Sequence, residues 1–344
     1  MPILENSARM TVSHTDNVRL GYLDGWRGCA ILAVLVGHFA ISQPLWIGRF
    51  GVELFFVLSG RLMAELLFVR GQTLPTFFKR RASRIYPALL VFLTIFAIIA
   101  VARGHKDQLA AYASAATLVY NYTNSLTGRV GAIDHVWSLC IEEHAYIALA
   151  TLAAFSRRCS VPALPVLFAL IVLCVSNGLV QTMNGGDYYQ VYWRTDVRGA
   201  SILIGAAVYM ISVGYHAPHW LAPALVALGL GFSAPMLPDP VKYTLGTGCL
   251  AAALATLPLV HRSALNAASS EPLQFCGRAS YSLYLWQQPF AALRWGHGPL
   301  WLAIILPAIA IGTLSLWFVE RPTRDRLNRW WEDRQENKSA LVVG

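Results

Sequence analysis

The first apolar segment of the chain, residues 22–41, contains an arginine and a histidine that share one face of a helix. Arg27 and His38 are eleven positions apart, which places both side chains on the same face, about 16 Å apart along the axis. Asp24 precedes Arg27 by three positions and can pair with it. We expect the imidazole of His38 to be buried among apolar helices, and a buried histidine, with an ordinary pKa near 6.5, stays neutral and is a natural general base. The alternative is a structural role, in which the histidine only forms a hydrogen bond to a neighbouring helix.

Acidic residues in two further apolar segments are candidate partners of this histidine. Glu53 begins the second segment, and we expect it at the depth of His38, where a carboxylate fixes the tautomer of an imidazole. Glu142 and Glu143 lie inside the fourth segment, with Ser138 on the same helical face as Glu142 and Tyr146 next along that face. Only one of these adjacent carboxylates can face a cavity, so the other pairs with an arginine or is protonated. An interfacial Glu53 and a purely structural pairing in the fourth segment remain the alternatives.

A basic cluster precedes the third apolar segment and contains Lys79, Arg80, Arg81 and Arg84. Arg81 and Arg84 share a face if this segment is helical. Paired guanidinium groups bind phosphate through bidentate hydrogen bonds. The alternative interpretation is an anchor for anionic lipid at the cytoplasmic surface.

The composition shows which elements must position these residues. Of the 344 residues, 56% are hydrophobic and 13% are charged, against about 25% charged in soluble domains. So little polar sequence cannot cover a soluble fold, and the chain is predicted to be an all-α, polytopic membrane protein. The six cysteines are scattered and show no zinc or disulfide pattern, and no metal is expected. About ten transmembrane helices are predicted, at residues 22–41, 51–69, 84–103, 135–155, 163–180, 198–213, 219–236, 241–260, 279–294 and 299–319.

The distribution of Lys and Arg predicts the orientation of the bundle. Most of the 27 basic residues fall on the side that holds both termini, which makes that side cytoplasmic. We therefore expect a cytoplasmic segment at 1–21, a transmembrane domain at 22–319 and a basic cytoplasmic tail at 320–344. The net charge of +9 follows from this topology and from attraction to membrane lipid, so no nucleic-acid partner is implied. The Ala-rich stretch 107–122 is predicted to be interfacial or re-entrant.

Seven sequence motifs occur in an order that is similar to a known family of membrane enzymes. They are Leu23 to His38, Gly51 to Gly60, the Arg81–Arg84 pair followed by Pro87, Trp137 to Glu143, the segment YWRTDVRGASILIGA from Tyr192, the segment SYSLYLWQQPF, and Val319 to Pro322. Together they resemble acyltransferase family 3, which includes bacterial O-antigen, exopolysaccharide and Nod-factor O-acetylases. The chain departs from the family at Gln287, where many members have a histidine, and at Ala145, where an aromatic residue is usual.

The resemblance implies a membrane-embedded O-acyltransferase of the bacterial cytoplasmic membrane. Its donor would be acyl-CoA, commonly acetyl-CoA, and its acceptor a hydroxyl of a carbohydrate or glycolipid. His38 would deprotonate that hydroxyl, with Glu142 or Glu53 orienting the ring, and an acyl-histidine intermediate is equally compatible. The implied donor-binding residues are Arg81, Arg84, Lys79 and Arg27, of which Arg27 also belongs to the catalytic group, and the implied acceptor-binding residues are Glu143, Trp137, Arg194, Asp196, Arg198 and Gln287.

Two other classes of function fit part of the sequence. Buried Arg, His and Glu residues also build proton-coupled secondary transporters, but no inverted repeat is visible. A non-catalytic assembly subunit is the other alternative, against which the retained Arg27, His38, Arg81, Arg84 and Glu142 argue. The sequence leaves open the acceptor, the acyl group, the side of transfer and whether the chain forms a homo-oligomer.

Overall fold

A computed structural model describes residues 3–39, 45–212, 217–293 and 301–343, with side chains described between 21 and 334 except at 301 and 302. Within these ranges the chain is helical and contains no strand, in agreement with the predicted fold class. The helices are α1 (Ile3–Phe39), α2 (Ile47–Ala64), α3 (Leu74–Ala102), α4 (Leu109–Ala116), α5 (Tyr120–Thr127), α6 (Val136–Cys159), α7 (Ala163–Met183), α8 (Tyr188–Tyr192), α9 (Thr195–Ser212), α10 (Leu221–Gly231), α11 (Asp239–Val241), α12 (Thr247–Thr256), α13 (Arg262–Ala268), α14 (Glu271–Ala292), α15 (Trp301–Ser315) and α16 (Arg321–Val343).

Short π-helical segments extend some of these helices. They are Glu65–Val69 after α2, Lys242–Gly246 between α11 and α12, and Leu316–Glu320 between α15 and α16. A π segment shifts the register of the side chains that follow it and is frequent at functional sites. Lys242 begins the second of these segments, and Glu320 ends the third.

Four helices are long and apolar enough to cross a membrane on their own. In the described part of the chain these are Leu74–Ala102, Val136–Cys159, Ala163–Met183 and Ala303–Arg334. A fifth span results if Asp239–Leu259 and Arg262–Ala268, which are bent by 118°, are taken together. Helices such as α2 and α9 fall outside this set because they contain charged residues. The count of ten spans and the cytoplasmic termini therefore stay predictions.

Several helix boundaries differ from those predicted. Helix α1 begins at Ile3 and not near residue 22, so that part of the N-terminal segment is helical. Helix α10 has 11 residues, fewer than the predicted span at 219–236. The stretch 107–122 forms the short helices α4 and α5, and the predicted tail forms α16. Hydropathy locates apolar segments, but polar residues extend a helix freely beyond the apolar part, which explains the longer α1.

Local sequence explains where individual helices begin and end. Helix α3 begins with Pro75 in its first turn, where the missing N–H costs nothing. It ends at Ala102, and the capping residue Arg103 is followed by Gly104 with φ of 87°, a left-handed conformation that glycine adopts without strain after a helix. This helix thus presents Lys79, Arg81 and Arg84 near its N-terminal end.

The chain divides into two compact units. The first unit contains residues 1–69 and 141–280, and the second contains residues 70–140 and 281–344. In the second unit α3 packs against α16, and Ser83 donates a hydrogen bond to Asn328 at 2.8 Å. Phe92 of α3 also contacts Trp286 of α14 edge-on, with 5.4 Å between ring centroids.

Glycines allow the helices of the first unit to approach one another closely. A Cβ on Gly25 would overlap the carbonyl oxygen of Ala268, and one on Gly277 would overlap that of Asp24. The same holds where α2 crosses α9, since a Cβ on Gly60 would overlap the carbonyl oxygen of Ile202. Small residues at such crossings are typical of helix packing in membranes. Gly51 of α2 likewise lies against the backbone of α1 at Ala30, so close crossings fix α1, α2 and α9 relative to one another.

Candidate active site

His38 lies in the last turn of α1, and its side chain is exposed at the surface of the described protein. This is a correction, because we expected burial of the imidazole among apolar helices. The start of α2 lies directly beside it, with the ring at 3.9 Å from the position of a Cβ on Gly48. The exposed ring is accessible to a reactant, and the neighbouring backbone of α2 restricts where that reactant can lie.

The contact between Gly37 and Gly48 positions this histidine, and it gives a first prediction. A Cβ on Gly37 would overlap the backbone of Gly48, which cannot move as a flexible side chain would. Gly37→Ala is therefore expected to lower the free energy of unfolding by about 1–3 kcal/mol, measured by thermal unfolding in detergent. Gly248→Ala is the matched control, since nothing lies within 4 Å of its added Cβ. Equal stability of the two variants would contradict the described contact.

Arg27 lies on the same continuous helix as His38. Its Nη1 atom donates to Asp24 Oδ1 at 2.9 Å, the pairing that the spacing predicted. The charge of this arginine is thus partly neutralised within α1. A contact of Arg27 with the acyl donor stays a prediction.

Glu53 is 4% exposed, and both of its carboxylate oxygens are occupied by residues other than His38. One oxygen accepts from the Nη2 atom of Arg198 of α9, and the other accepts from the Thr247 hydroxyl at 2.6 Å. We expected Glu53 to orient the imidazole of His38, but the described contacts of Glu53 are with Arg198 and Thr247. The physical reason is that a buried carboxylate needs a counter-ion, and the nearest one is the fully buried Arg198.

Aromatic rings surround the cations next to this pair. The guanidinium of Arg198 lies 3.5 Å from the ring centroid of Tyr243 and 5.0 Å from that of Tyr192. Trp46, immediately before α2, has Arg49 at 3.7 Å and the Lys242 ammonium at 3.7 Å from its ring centroid. Cations placed over aromatic faces are attracted by the ring quadrupole, and the attraction grows when water is excluded.

A cavity of about 330 Å³ lies within the first unit beside these rings. Its walls include Trp46, Tyr188, Tyr192, Arg198, Lys242 and Tyr243. It is located at the end of the unit where α7 ends and α9 begins. Cavities of this size are in the range that binds small ligands.

The segment that begins α9 holds two more of the predicted acceptor residues. Arg194 and Asp196 form a bidentate pair with N–O distances of 2.6 and 2.9 Å, and Asn177 donates to Asp196 at 3.0 Å. Both lie outside the wall of the cavity, whereas Arg198, one turn later, forms part of it. The structure thus separates these three residues into a partly exposed ion pair and a buried arginine.

Helix α6 supplies the adjacent carboxylates Glu142 and Glu143, both half-buried. The Tyr146 hydroxyl donates to Glu142 at 2.8 Å, as expected from the spacing of one helical turn. His144, between Glu143 and Ala145, lies with its Nδ1 atom at 2.8 Å from the Thr195 hydroxyl. Sequence reasoning overlooked this histidine.

The second unit contains the basic cluster. Helix α3 is continuous through Lys79, Arg81 and Arg84, so Arg81 and Arg84 share a helical face as the spacing predicted. Glu320 is 2% exposed, accepts from Ser282 at 2.7 Å and lies 3.7 Å from Arg324.

Arg84 and Arg321 also contribute to the electrostatic environment of Glu320. The buried carboxylate therefore gathers arginines from two helices, a role that the Val319 to Pro322 motif did not reveal. Lys79 is half-buried on the same helix as Arg84.

Trp137 and Gln287, the remaining predicted acceptor residues, are buried in the second unit at 7% and 1% exposure. The side-chain amide of Gln287 donates to Gln288 at 3.5 Å, and nearby Ser138 and Tyr284 share a hydrogen bond of 2.7 Å. These groups form polar contacts within an apolar environment. A role in acceptor binding stays a prediction for both.

Sequence reasoning missed the residues that line the cavity, apart from Arg198. Tyr188 and Tyr192 are spaced one helical turn apart, and their rings stack at 5.5 Å with an angle of 15°. That spacing was a usable signal, although it is equally typical of a packed core. Nothing in the sequence indicated that Lys242 and Tyr243, about fifty residues later, complete the same wall.

Comparison with known proteins connects this arrangement to a family. A family model described as an acyltransferase domain, Acyl_transf_3, matches residues 20–319. The chain is 29% identical to O-acetyltransferase OatA of Staphylococcus aureus, over 88% of the chain and 57% of the relative. It is 27% identical to peptidoglycan O-acetyltransferase OatA of Listeria monocytogenes, over 88% of the chain and 55% of the relative. The chain thus spans about half the length of these relatives, and no solved structure matches it.

Proposed function

Because the chain belongs to acyltransferase family 3, we propose that it is a membrane O-acetyltransferase that moves an acetyl group from acetyl-CoA to a carbohydrate hydroxyl. The observation that carries the proposal is the extent of the family match, residues 20–319, which includes His38, Arg81, Arg84 and Glu142. The two relatives described above act, by their names, in O-acetylation, one of them on peptidoglycan. Peptidoglycan glycan strands are therefore the acceptor class that we propose.

Donor binding is assigned to the basic cluster of the second unit. Arg81 and Arg84 present two guanidinium groups from one helical face, and Lys79 adds a third cation near the start of α3. Coenzyme A carries phosphate groups, which arginine binds in a bidentate manner. On the predicted topology this end of α3 faces the cytoplasm, where acyl-CoA is made. Arg27 is assigned as an additional contact to the donor.

The chemical step is assigned to His38 of the first unit. A neutral imidazole nitrogen takes the proton of the acceptor hydroxyl while the hydroxyl oxygen bonds to the thioester carbonyl carbon. The carbon–sulfur bond then breaks, the ester is formed, and the imidazolium returns the proton to the sulfur of coenzyme A. The exposure of His38 at the end of α1 supports this role, since the ring is accessible. Transfer through an acetyl-histidine would use the same residue as a nucleophile.

We assign Glu142 a supporting role in catalysis. Its hydrogen bond from Tyr146 holds one carboxylate oxygen in a fixed orientation on α6. Glu53 acts differently, because it neutralises Arg198 within the protein. The proposed localisation is the bacterial cytoplasmic membrane, with both termini in the cytoplasm.

The donor assignment gives a second prediction. Arg81→Ala combined with Arg84→Ala is expected to weaken equilibrium binding of radiolabelled acetyl-CoA about tenfold to hundredfold, because two charge-assisted interactions are lost. Binding is measured on the purified protein in detergent. Arg103→Ala is the matched control, since Arg103 follows the other end of the same helix and is exposed. The assignment is wrong if the double variant binds acetyl-CoA as tightly as this control.

A further inference from the structure

A buried carboxylate lies beside the basic cluster of the second unit. Glu320 is 2% exposed, and one of its oxygens accepts a hydrogen bond from the fully buried Ser282 at 2.7 Å. The donor site proposed above uses Arg84 and its neighbours on α3, but it gives this glutamate no function. A carboxylate buried so deeply is costly unless cations and hydrogen bonds compensate it. The groups that compensate Glu320 therefore indicate what it does.

Three arginines interact with Glu320, and Arg84 has the strongest electrostatic interaction of the three. Arg324 lies 3.7 Å from the carboxylate, but its side chain is 33% exposed. Arg321 places its guanidinium over the ring of Trp317, 4.0 Å from the centroid. Arg84 differs from both because it belongs to α3, whereas the other two belong to α16, which directly follows Glu320. Glu320 thus supplies α3 with a charge partner from another part of the fold.

Helix α3 contains no acidic residue of its own. Four cations lie within six residues near its start, at Lys79, Arg80, Arg81 and Arg84. Like charges that are neighbours on a helix repel one another. A fixed carboxylate beside one of these cations offsets part of the repulsion and restricts the orientations of that side chain. One carboxylate against four cations still leaves the cluster with a net positive charge, which attracts an anionic ligand.

The residues on either side of Arg84 hold α3 against its neighbours. The Ser83 hydroxyl donates to Asn328 of α16 at 2.8 Å. The carbonyl oxygen of Ile85 accepts from the Tyr281 hydroxyl of α14 at 2.7 Å. Both contacts lie within the second unit. The backbone that carries Arg84 is therefore fixed from two directions, and only its side chain remains to be oriented.

The same turn of α14 fixes the glutamate. Ser282 directly follows Tyr281 and donates to Glu320, so consecutive residues of α14 contact the backbone next to Arg84 and the carboxylate. Glu320 ends the π segment before α16, and such segments are frequent at functional sites. Two adjacent hydrogen bonds thus set the position of Glu320 relative to Arg84.

We infer that Glu320 is a positioning residue, which holds the guanidinium of Arg84 in the orientation that binds a phosphate group of the donor. The inference rests on the proposed function for its ligand, since acetyl-CoA is the donor there. An arginine loses side-chain entropy when a ligand immobilises it. A carboxylate that already restricts Arg84 reduces that cost before the donor binds. The remaining N–H groups of the planar guanidinium stay available for phosphate oxygens.

The test is equilibrium binding of radiolabelled acetyl-CoA to the full-length protein in detergent. Glu320→Gln keeps the size of the side chain and a hydrogen-bonding partner for Ser282, but it removes the charge that restricts Arg84. The variant is expected to raise the Kd about three- to tenfold, the effect of one side chain that is no longer pre-oriented. Asp325→Asn is the matched control, because it also removes one negative charge beside Arg324, at a side chain that is 61% exposed. Its Kd should stay at the wild-type value.

A general electrostatic role of Glu320 predicts a change of the opposite sign. Loss of a negative charge near the basic cluster would then strengthen binding of the anionic donor. Tighter binding or an unchanged Kd in Glu320→Gln therefore overturns the inference. A double-mutant cycle with Arg84→Ala tests whether the effect passes through Arg84, because Glu320→Gln should cause no further loss of affinity once the arginine is absent. Equal losses with and without Arg84 also overturn the inference.

Stability and steady-state kinetics separate positioning from a merely structural role. Thermal unfolding shows whether Glu320→Gln retains the fold. Ser282→Ala keeps the charge of Glu320 but removes the hydrogen bond that orients it, and it should also raise the Kd for acetyl-CoA. Since only donor binding is altered in Glu320→Gln, KM for acetyl-CoA should rise while kcat at saturating donor stays unchanged. A lower kcat with an unchanged KM contradicts the positioning role.

Acetyl transfer to soluble peptidoglycan fragments, measured on the same preparations, separates this inference from the proposed function. Transfer together with unchanged acetyl-CoA binding in Glu320→Gln overturns the positioning role and leaves the enzyme assignment intact. Weaker binding that depends on Arg84 supports the positioning role, even if no transfer is found. Absence of acetyl-CoA binding by the wild type overturns the inference.

Discussion

His38→Ala is expected to reduce acetyl transfer by about a thousandfold while leaving acetyl-CoA binding unchanged. Loss of a general base typically costs 10²–10⁴-fold in rate, and a direct nucleophile would cost at least as much. Donor binding is expected to persist because the substitution leaves the proposed phosphate ligands, Arg81 and Arg84, unchanged. The measurement is single-turnover transfer to soluble peptidoglycan fragments, alongside equilibrium binding of the donor.

His105→Ala provides the matched control for this experiment. His105 is exposed after α3 and is not among the residues assigned to the reaction, so its variant should transfer acetyl groups at the wild-type rate. If His38→Ala also retained that rate, the histidine would have no part in the chemistry. Loss of donor binding in His38→Ala would instead assign it to the donor site.

Arg198→Met is expected to lower the free energy of unfolding by roughly 3–5 kcal/mol, the effect seen when one partner of a buried ion pair is removed. The substitution keeps much of the side-chain volume but leaves Glu53, 4% exposed, without its counter-ion. The Thr247 hydroxyl alone cannot neutralise that carboxylate. Thermal unfolding of the purified protein in detergent measures the change.

Two further variants isolate the cause of this loss. Adding Glu53→Gln to Arg198→Met removes the buried charge and keeps a hydrogen-bonding partner for Thr247, so most of the lost stability should return. Arg194→Met, on the residue before the same helix, breaks a pair whose side chains are 34% and 45% exposed. Arg194→Met is therefore expected to lower the free energy of unfolding by less than about 1 kcal/mol. Equal destabilisation by Arg194→Met and Arg198→Met would show that burial of the ion pair is not the cause.

Local spacing predicted well those contacts that form within one helix. The pairs Arg27–Asp24 and Tyr146–Glu142 are separated by three and four residues, and the structure contains both. Helical geometry alone fixes such neighbours. The all-helical class was predictable for a related reason, since apolar segments of this length have few other ways to satisfy their backbone groups in lipid.

Contacts between helices could not be predicted in the same way. The partner of Glu53 is Arg198, 145 residues away, and its second partner is Thr247. Topology placed Glu53 and His38 at a similar depth, but depth does not determine which face of α2 meets α1 and which meets α9. The orientation of α2 depends on close helix contacts at glycines, such as the contact of Gly60 with the backbone of Ile202. The cavity could not be predicted from the sequence for the same reason, because its wall combines Trp46 with residues from three distant segments.

The central claim is that this chain transfers an acetyl group from acetyl-CoA to a glycan hydroxyl, and one measurement tests it most directly. Purified protein is incubated with acetyl-CoA labelled in the acetyl group, with and without soluble peptidoglycan fragments. Coenzyme A release and glycan-bound label are then measured together. The account predicts that the glycan accelerates coenzyme A release and that the label appears on it as an alkali-labile ester. Release that is indifferent to the glycan, with no label recovered on it, would contradict the claim.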